Sequence, residues 1–309
     1  NQYGVMSKAG AEQIVHTITA HLAQNPGHAV AGIDMVNAFN SVDRAAFMQG
    51  LLDAPGGLKQ LYPLVAQFYL EDGALLTYDD RGAATLRLAS KSGTRQGDPL
   101  APMLFALAIH PALLKVQADY KEKGVVVLAY LDDIYVMGPP DATAEAYAKL
   151  RKELGELKLQ CNQSKCWAWS PSGEYGALLD AAEDSFRLQR KDCPKVLGFY
   201  LGQGAHEKLK QRVTNEEDTK CLARKTAVLR SFARAGFQHH ALQLLLCCAA
   251  PSVNYMLRAC LPDDVLNAAM AADELLIQAL ADICNIEHEA VARGTRPAMQ
   301  LRMLQKDGG

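Results

Sequence analysis

Three aspartates lie directly after apolar stretches of this sequence, with no oppositely charged residue beside them. Asp34 follows the apolar run 30–33, and Asp132 with Asp133 follows the apolar run 125–131. Two carboxylates about 4 Å apart repel each other by roughly 4 kcal/mol at an effective dielectric constant near 20, so we expect a cation between them. Oxygen-only ligands favour Mg²⁺ or Mn²⁺ over zinc, and two such ions about 3.5–4 Å apart assist in-line displacement at phosphorus. For Asp132 and Asp133 an ordinary hairpin turn, where aspartate is common, is the alternative.

The elements that position these acids predict an α+β protein. Asp98 as N-cap and Pro99 at the first helical position predict the start of a long buried helix. Two buried strands, 125–130 and 134–137, flank the acidic turn. The other predicted elements are a helix over 10–25, a strand over 28–35, helices within 43–71 broken at 55–57, a hairpin over 74–88, a helix over 141–158, short strands near 166–169 and 196–201, and helices from Asn215 onward. An all-helical part therefore begins near 202–210.

Composition narrows the class of protein. The 309 residues are 49% hydrophobic and 21% charged, which excludes a disordered or collagen-like chain. No run of 18 apolar residues occurs, so no membrane span is predicted. Eight cysteines without a CxxC spacing favour reduced, mostly buried thiols over a zinc module or a disulfide framework. Since the chain begins at Asn1 and ends at Gly309 without recognisable end elements, we expect a fragment of a longer protein.

Charge is unevenly distributed along the chain. The net charge is −2, yet the stretch from Phe186 to Arg234 carries twelve Lys or Arg against five acids, a local charge of +7. The rest of the chain is therefore about −9 by subtraction. A solvated helix face is the ordinary interpretation of such a stretch, and a phosphate-binding track is the alternative.

Several motifs, in a fixed order, resemble the palm of a reverse transcriptase. They are GIDMVNAFNSVDR at 32–44, RQGDPL at 95–100 and YLDD at 130–133, and Asp132 lies 98 positions after Asp34. LQCNQSK at 159–165 is similar to the motif after the catalytic hairpin, and VLGF at 196–199 is similar to the primer-grip hairpin. The segments 2–4, 10–12 and 249–258 are similar to the flanks and thumb of non-LTR retrotransposon enzymes. Leu131 before the acids is more typical of retroviral-type elements, whereas the RQGDP turn favours the non-LTR group.

The resemblance implies an architecture. A right-hand polymerase palm, an antiparallel sheet with helices on one face, would occupy 29–53 and 96–205. Partial fingers would occupy 1–28 and 54–95. An all-helical thumb with the start of a C-terminal extension would occupy 206–309. The basic stretch would then be a primer–template track, and further domains of a larger polyprotein would lie outside this chain.

The resemblance also implies residue roles in nucleotidyl transfer. Asp34, Asp132 and Asp133 would ligate two Mg²⁺ ions, for which Mn²⁺ can substitute, and Lys165 would act as general acid for the pyrophosphate. Phe39 would lie under the sugar and exclude a 2′-hydroxyl. The residues implied to contact the template, the nascent base pair or the primer are Arg95, Gln96 and Gly97 in the turn, and Leu197, Gly198 and Phe199 in the primer grip.

Three functions remain open from the sequence. An RNA-directed DNA polymerase acting on an RNA template, a DNA primer and deoxynucleotides agrees best with Phe39. A viral-type RNA polymerase shares the carboxylates but generally has a polar residue at that place. A non-catalytic RNA-binding remnant would be expected to have lost the acids, which are present here. Trp167 and Trp169, two residues apart on one strand, favour core packing over base stacking.

Overall fold

The structure is a computed structural model, and it describes residues 2–71, 73–179 and 187–286. The chain divides into two compact units, Asn1–Leu197 and Gly198–Gly309. The division falls within the predicted primer-grip segment, upstream of the predicted palm–thumb boundary at 205–206. The assignment of residue ranges to fingers, palm and thumb stays a prediction.

The first unit contains six helices and eight strands among its described residues. The helices are α1 (Gly10–Gln24), α2 (Ala38–Ser41), α3 (Arg44–Asp53), α4 (Tyr62–Tyr69), α5 (Ala101–Tyr120) and α6 (Pro140–Glu156). The strands are β1 (Ala29–Ile33), β2 (Gly73–Tyr78), β3 (Ala84–Ser90), β4 (Val126–Tyr130), β5 (Asp133–Gly138), β6 (Trp167–Trp169), β7 (Gln189–Arg190) and β8 (Lys195–Val196). Short 3₁₀ turns occupy Leu58–Leu61, Lys121–Lys123 and Gly176–Leu179.

A five-stranded sheet in the order β4-β5-β1-β6-β7 forms the centre of this unit. Its pairs are antiparallel except for β6 and β7, which run parallel. In the central pair, Ile33 of β1 lies opposite Ile134 of β5. Because strand ends that pair in this way lie at the same edge of a sheet, the end of β1 and the start of β5 meet. The strands β2 and β3 form a separate hairpin.

Alternating residues of β1 build the core. Ala29, Ala31 and Ile33 belong to one buried cluster with residues of α3, α5 and α6. All five residues of β1 are buried, so both faces of this strand are covered. On the other face Gly32 is required by Trp167, since a Cβ there would lie 2.3 Å from Trp167 Cε2. Trp167 is 7% exposed, which confirms core packing for this residue.

The long helix α5 is apolar because it crosses this core. Leu104, Phe105 and Ile109 are fully buried in the same cluster. Within the described part of the chain, two helical stretches, Ala101–Lys123 and Gln238–Ala259, are long and apolar enough to cross a membrane by length and composition. For the first of them, the core contacts of α5 account for the composition.

The second unit is helical apart from one short strand among its described residues. It contains β9 (Phe199–Tyr200), α7 (Ala205–Thr214), α8 (Leu222–Arg234), α9 (Gln238–Leu244), α10 (Asn254–Ala259) and α11 (Pro262–Cys284), with a π turn over Leu245–Ala249 and a 3₁₀ turn over Ala250–Val253. Helix α11 packs against α7 and α8. Gly236, with φ of 94°, ends α8 in a Schellman motif, because its amide donates to Ala233 and the amide of Phe237 donates to Phe232.

The cysteines are less buried than expected. All eight are free thiols. Cys166, Cys221 and Cys260 are buried, whereas Cys247, Cys248 and Cys284 are exposed. The expectation of mostly buried thiols is therefore wrong, because several cysteines of the helical unit lie on outward-facing positions of their helices.

Candidate active site

The three aspartates meet at one edge of the central sheet. Asp34 follows the last residue of β1, Asp132 lies in the turn after β4, and Asp133 begins β5. Since Ile33 and Ile134 are register partners, Asp34 and Asp133 stand side by side. Leu131, the first residue of the two-residue turn, has a φ of 55°, a left-handed conformation that is strained for leucine.

The charges of this cluster act on one another. Burial, followed by the charges of Asp132 and Asp34, raises the pKa of the Asp133 carboxyl to about 6. Burial also raises the pKa of Asp132, and the charge of Asp34 raises it further. Neighbouring carboxylates that resist ionisation in this way gain stability from a cation.

The donor set fits a magnesium or manganese ion in chemical type. The aspartate side chains offer only oxygen, which is the ligand that these hard cations prefer. Among the described residues, no group of three His, Cys, Asp or Glu side chains is gathered closely enough to hold an ion as they stand. The structure thus places carboxylates that repel one another side by side. Which of them would bind an ion stays a prediction.

A single short segment after α6 holds Asp34. Lys165 Nζ lies 3.6 Å from Asp34 Oδ1, and the Asn162 amide donates to the Asp34 carbonyl at 2.8 Å. The Cys166 sulfur lies 3.4 Å from the Asp34 amide and accepts its hydrogen bond. A hydrogen bond between the thiols of Cys161 and Cys166 raises the pKa of the first and lowers that of the second. The structure therefore places Lys165 beside Asp34.

Phe39 is held by its ring and by its backbone. The ring stacks on Phe105 of α5 with centroids 4.6 Å apart. The Phe39 carbonyl accepts hydrogen bonds from the Thr94 amide at 2.6 Å and from the Thr94 hydroxyl at 3.1 Å. Gly93, with φ of 62°, permits this approach, since a Cβ there would lie 2.4 Å from the same carbonyl oxygen. Gly93 and Thr94 were not predicted as functional residues, and their only signal in the sequence is their place just before RQGDPL.

The turn 95–98 is fastened to helix α4. The Tyr69 hydroxyl donates to the Asp98 carboxylate and accepts from the Arg95 amide at 3.1 Å. The Arg95 guanidinium lies over the Tyr69 ring, 5.5 Å from its centroid, and donates to the Phe68 carbonyl at 2.9 Å. The predicted contact of Arg95 with substrate stays untested, but its side chain is directed to α4.

The start of α5 differs from the prediction. The helix begins at Ala101, so the predicted N-cap role of Asp98 is wrong. Asp98 instead accepts from the Leu100 amide at 2.8 Å within the turn, as aspartate does in an Asx turn. Gln96 and Gly97 are exposed, and Gly97 has a φ of 90°. Both residues are available at the surface of the turn.

The predicted primer-grip residues lie where the two units of the chain join. Leu197 and Gly198 both have positive φ, 47° and 88°, as in the tight turns that connect hairpin strands. Within the second unit, Arg212 donates to the Gly198 carbonyl, and Phe199 is 2% exposed. Asp34, Asp132, Asp133, Lys165 and Phe39 belong to the first unit.

Comparison with solved structures defines the class of fold. The chain is similar to telomerase from Candida albicans, solved in complex with a fragment of telomeric RNA, with a TM-score of 0.50 and 10% sequence identity over 99% of this chain and 54% of the other. An apo telomerase from Candida tropicalis gives a TM-score of 0.47 with 11% identity over 98% of this chain and 54% of the other. The chain has the fold of right-hand polymerases.

Comparison of sequences defines the family. Residues 1–201 match the family described as reverse transcriptase (RNA-dependent DNA polymerase), and the chain belongs to this family. It is 26% identical over 147 residues to the retrotransposable element SLACS 132 kDa protein of Trypanosoma brucei gambiense, a match that covers 48% of this chain. The matched part spans 12% of the length of that protein.

Proposed function

We propose that the chain is the polymerase part of a non-LTR retrotransposon-like reverse transcriptase. It would add deoxynucleotides to the 3′-hydroxyl of a DNA primer on an RNA template, for retrotransposition. The observation that carries the proposal is the meeting of Asp34, Asp132 and Asp133 at one sheet edge in a chain of the reverse transcriptase family. Further domains of a larger polyprotein would complete the protein, which agrees with a match spanning 12% of the trypanosome protein.

The acids would hold two Mg²⁺ ions, with Mn²⁺ as a substitute. Such ions supply Lewis-acid activation of a hydroxyl and charge neutralisation at phosphate. Asp34 and Asp132 are the main candidate ligands, and Asp133 adds negative field beside them. The raised pKa values of Asp132 and Asp133 support this assignment, because a bound cation stabilises the charged carboxylates against burial, the main cause of the rise, and against the repulsion of the neighbouring acids.

Two other residues would act on the nucleotide. Lys165, 3.6 Å from the Asp34 carboxylate, would donate a proton to the departing pyrophosphate. Phe39, fixed on Phe105, would exclude a 2′-hydroxyl and so select deoxynucleotides. We assign to Arg95, Gln96 and Gly97 a position beside the template and nascent base pair, and to 197–199 the primer.

Primer extension tests which nucleotides the chain incorporates. The wild-type chain, given an RNA template, a DNA primer and Mg²⁺, is expected to incorporate deoxynucleotides and to discriminate against ribonucleotides. Substituting Phe39→Val should raise the ratio of ribonucleotide to deoxynucleotide kcat/KM by about tenfold or more, since a clash that costs about 1.4 kcal/mol or more is relieved. Phe68→Val, which alters a 49% exposed phenylalanine of α4, is the control and should leave the ratio unchanged.

Two outcomes would contradict the proposal. Equal use of both sugars by the wild-type chain would remove the role of Phe39 and favour the alternative of a viral-type RNA polymerase. Binding of RNA without any template-directed incorporation, in a folded chain supplied with Mg²⁺ or Mn²⁺, would favour the non-catalytic remnant.

A further inference from the structure

The turn that carries Asp132 and Asp133 is held by a residue from the start of the chain. Gln2 Oε1 accepts a hydrogen bond from the Leu131 amide at 2.7 Å, and Gln2 Nε2 donates to the Leu131 carbonyl at 3.3 Å. One side-chain amide thus binds both backbone groups of a single residue. Next to it, the Tyr3 amide donates to the Ala129 carbonyl of β4 at 2.7 Å.

The residue so bound is the strained one. Leu131 has a φ of 55°, where a side chain with a Cβ pays an energetic cost. Such a conformation persists only where the surroundings determine it, and it tends to be found at functional sites. The next two residues along the chain are Asp132 and Asp133, so the direction of both carboxylates depends on this backbone.

Gly4 shows how closely the segment approaches the turn. A Cβ at Gly4 would lie 2.7 Å from the Leu131 amide nitrogen and 2.7 Å from Leu131 Cγ. The Gly4 amide also donates to Gln2 Oε1 at 3.0 Å, which fixes the side chain that binds Leu131. Gln2 and Gly4 are therefore matched to the turn in hydrogen bonding and in shape.

We infer that Gln2 is a positioning residue of the candidate active site, which sets the direction of the Asp132 and Asp133 carboxylates by holding Leu131 in its left-handed conformation. The inference rests on the proposed function and deepens it. Residues that orient metal ligands typically change metal affinity or activity by about 10- to 100-fold when they are replaced.

The chain offers a matched control for Gln2. Gln117 Nε2 donates to the Val125 carbonyl at 2.9 Å, and Gln117 Oε1 accepts from the Val127 amide at 2.8 Å. Gln117 therefore makes the same pair of hydrogen bonds to the backbone around β4, at the end of that strand away from the acids. Gln2→Met removes both hydrogen bonds to Leu131 and the one from the Gly4 amide, and Gln117→Met removes the hydrogen bonds to Val125 and Val127. Both substitutions keep the side-chain volume.

The experiment compares these variants of the full 309-residue chain by thermal melting, by Mn²⁺ binding in electron paramagnetic resonance, and by primer extension over a range of Mg²⁺ concentrations. Gln2→Met should weaken Mn²⁺ binding about tenfold and raise the Mg²⁺ concentration for half-maximal extension by a similar factor. Gln117→Met should lower the melting temperature and leave both values within about twofold of the wild-type values. Gly4→Ala, which disturbs the same turn, should resemble Gln2→Met.

The inference is overturned if Gln2→Met, folded by melting, binds Mn²⁺ and responds to Mg²⁺ as Gln117→Met does. Should Gln2→Met fail to fold, Gly4→Ala decides by the same two readouts. Failure of the wild-type chain to extend any primer while Gln2→Met still weakens Mn²⁺ binding would contradict the proposed function and leave the positioning role supported.

Discussion

The raised pKa of the Asp133 carboxyl makes the stability of the folded chain depend on pH. Its pKa in the folded chain is about 6, whereas the ordinary value is 3.8. The folded state therefore binds the proton more tightly than the unfolded state does. The resulting stabilisation is complete below about pH 4 and is lost as pH rises through about 6.

The direction of this pKa shift predicts how the stability of the chain changes with pH. Without metal, Asp133→Asn should be more stable than the wild-type chain at pH 7 and should lose the part of the pH dependence between about pH 4 and 6.5. Because Asp133 keeps access to solvent, we expect a difference below about 1 kcal/mol. Thermal melting in EDTA at several pH values measures it. A stability difference that grows toward acid pH would show the opposite sign and contradict the assigned cause.

Single residues also show what the sequence could and could not reveal. The acids were predictable because a carboxylate at the end of an apolar strand is unusual, and Lys165 because it ends LQCNQSK, which resembles the motif after the catalytic hairpin. The sequence did not reveal that Gln2 is a partner of Leu131 or that Thr94 is a partner of Phe39. These hydrogen bonds join residues 129 and 55 positions apart, and such pairings depend on the tertiary fold.

At the scale of elements, the link between α4 and the turn 95–98 rests on Tyr69. This residue is 2% exposed, and its hydroxyl serves both Asp98 and the Arg95 amide. Tyr69→Phe leaves two polar groups without this partner, which should cost about 1–3 kcal/mol of unfolding free energy. It should also lower extension activity, because Gln96 and Gly97 lie in the same turn.

Denaturant unfolding checks this effect, with Tyr62→Phe at the start of the same helix as control. The control variant should change stability by less than about 0.5 kcal/mol. Equal stability losses in both variants would show that the Tyr69 hydroxyl does not hold the turn.

Elements with strong apolar spacing were predicted well. The helix 10–25, the strand before Asp34, the two strands around the acidic turn and the helix 141–158 are confirmed within a few residues. Helix α7 was not among the predicted elements, since individual helices were predicted only from Asn215, but its start at Ala205 lies within the predicted beginning of the all-helical part near 202–210. Only Ala205, Leu209 and Val213 of this helix are buried, and the rest of its sequence is polar. Packing within the helical unit, rather than a clear apolar pattern in the sequence, therefore stabilises the helix.

For the whole molecule, the uneven charge predicts which cations would contact nucleic acid under the proposed function. Some cations of the basic stretch have protein partners, such as Arg230 with Asp282 and Arg190 with Asp192. Lys210 and Arg224 are exposed. Replacing both by glutamine should weaken binding to a primer–template duplex and reduce the slope of log K against log salt by about 2, near 0.9 for each phosphate that is no longer neutralised.

Lys121→Gln with Lys152→Gln provides the control, because both lysines are exposed outside the basic stretch. This pair should leave the slope unchanged. Fluorescence anisotropy at several salt concentrations measures both. A basic-stretch variant that retains the wild-type slope would return the stretch to its ordinary interpretation as a solvated surface.

We propose that the aspartates at the sheet edge carry out nucleotidyl transfer, and a matched pair of variants tests this claim. Asp132→Asn and Asp119→Asn are assayed for single-nucleotide addition on an RNA template, with melting curves to confirm folding. Asp119 is a surface partner of Lys149, so its variant should keep wild-type activity. We predict that Asp132→Asn folds and loses activity by about 10³-fold or more, a loss of at least about 4 kcal/mol in transition-state stabilisation. A folded Asp132→Asn that extends primers at the wild-type rate would contradict the claim.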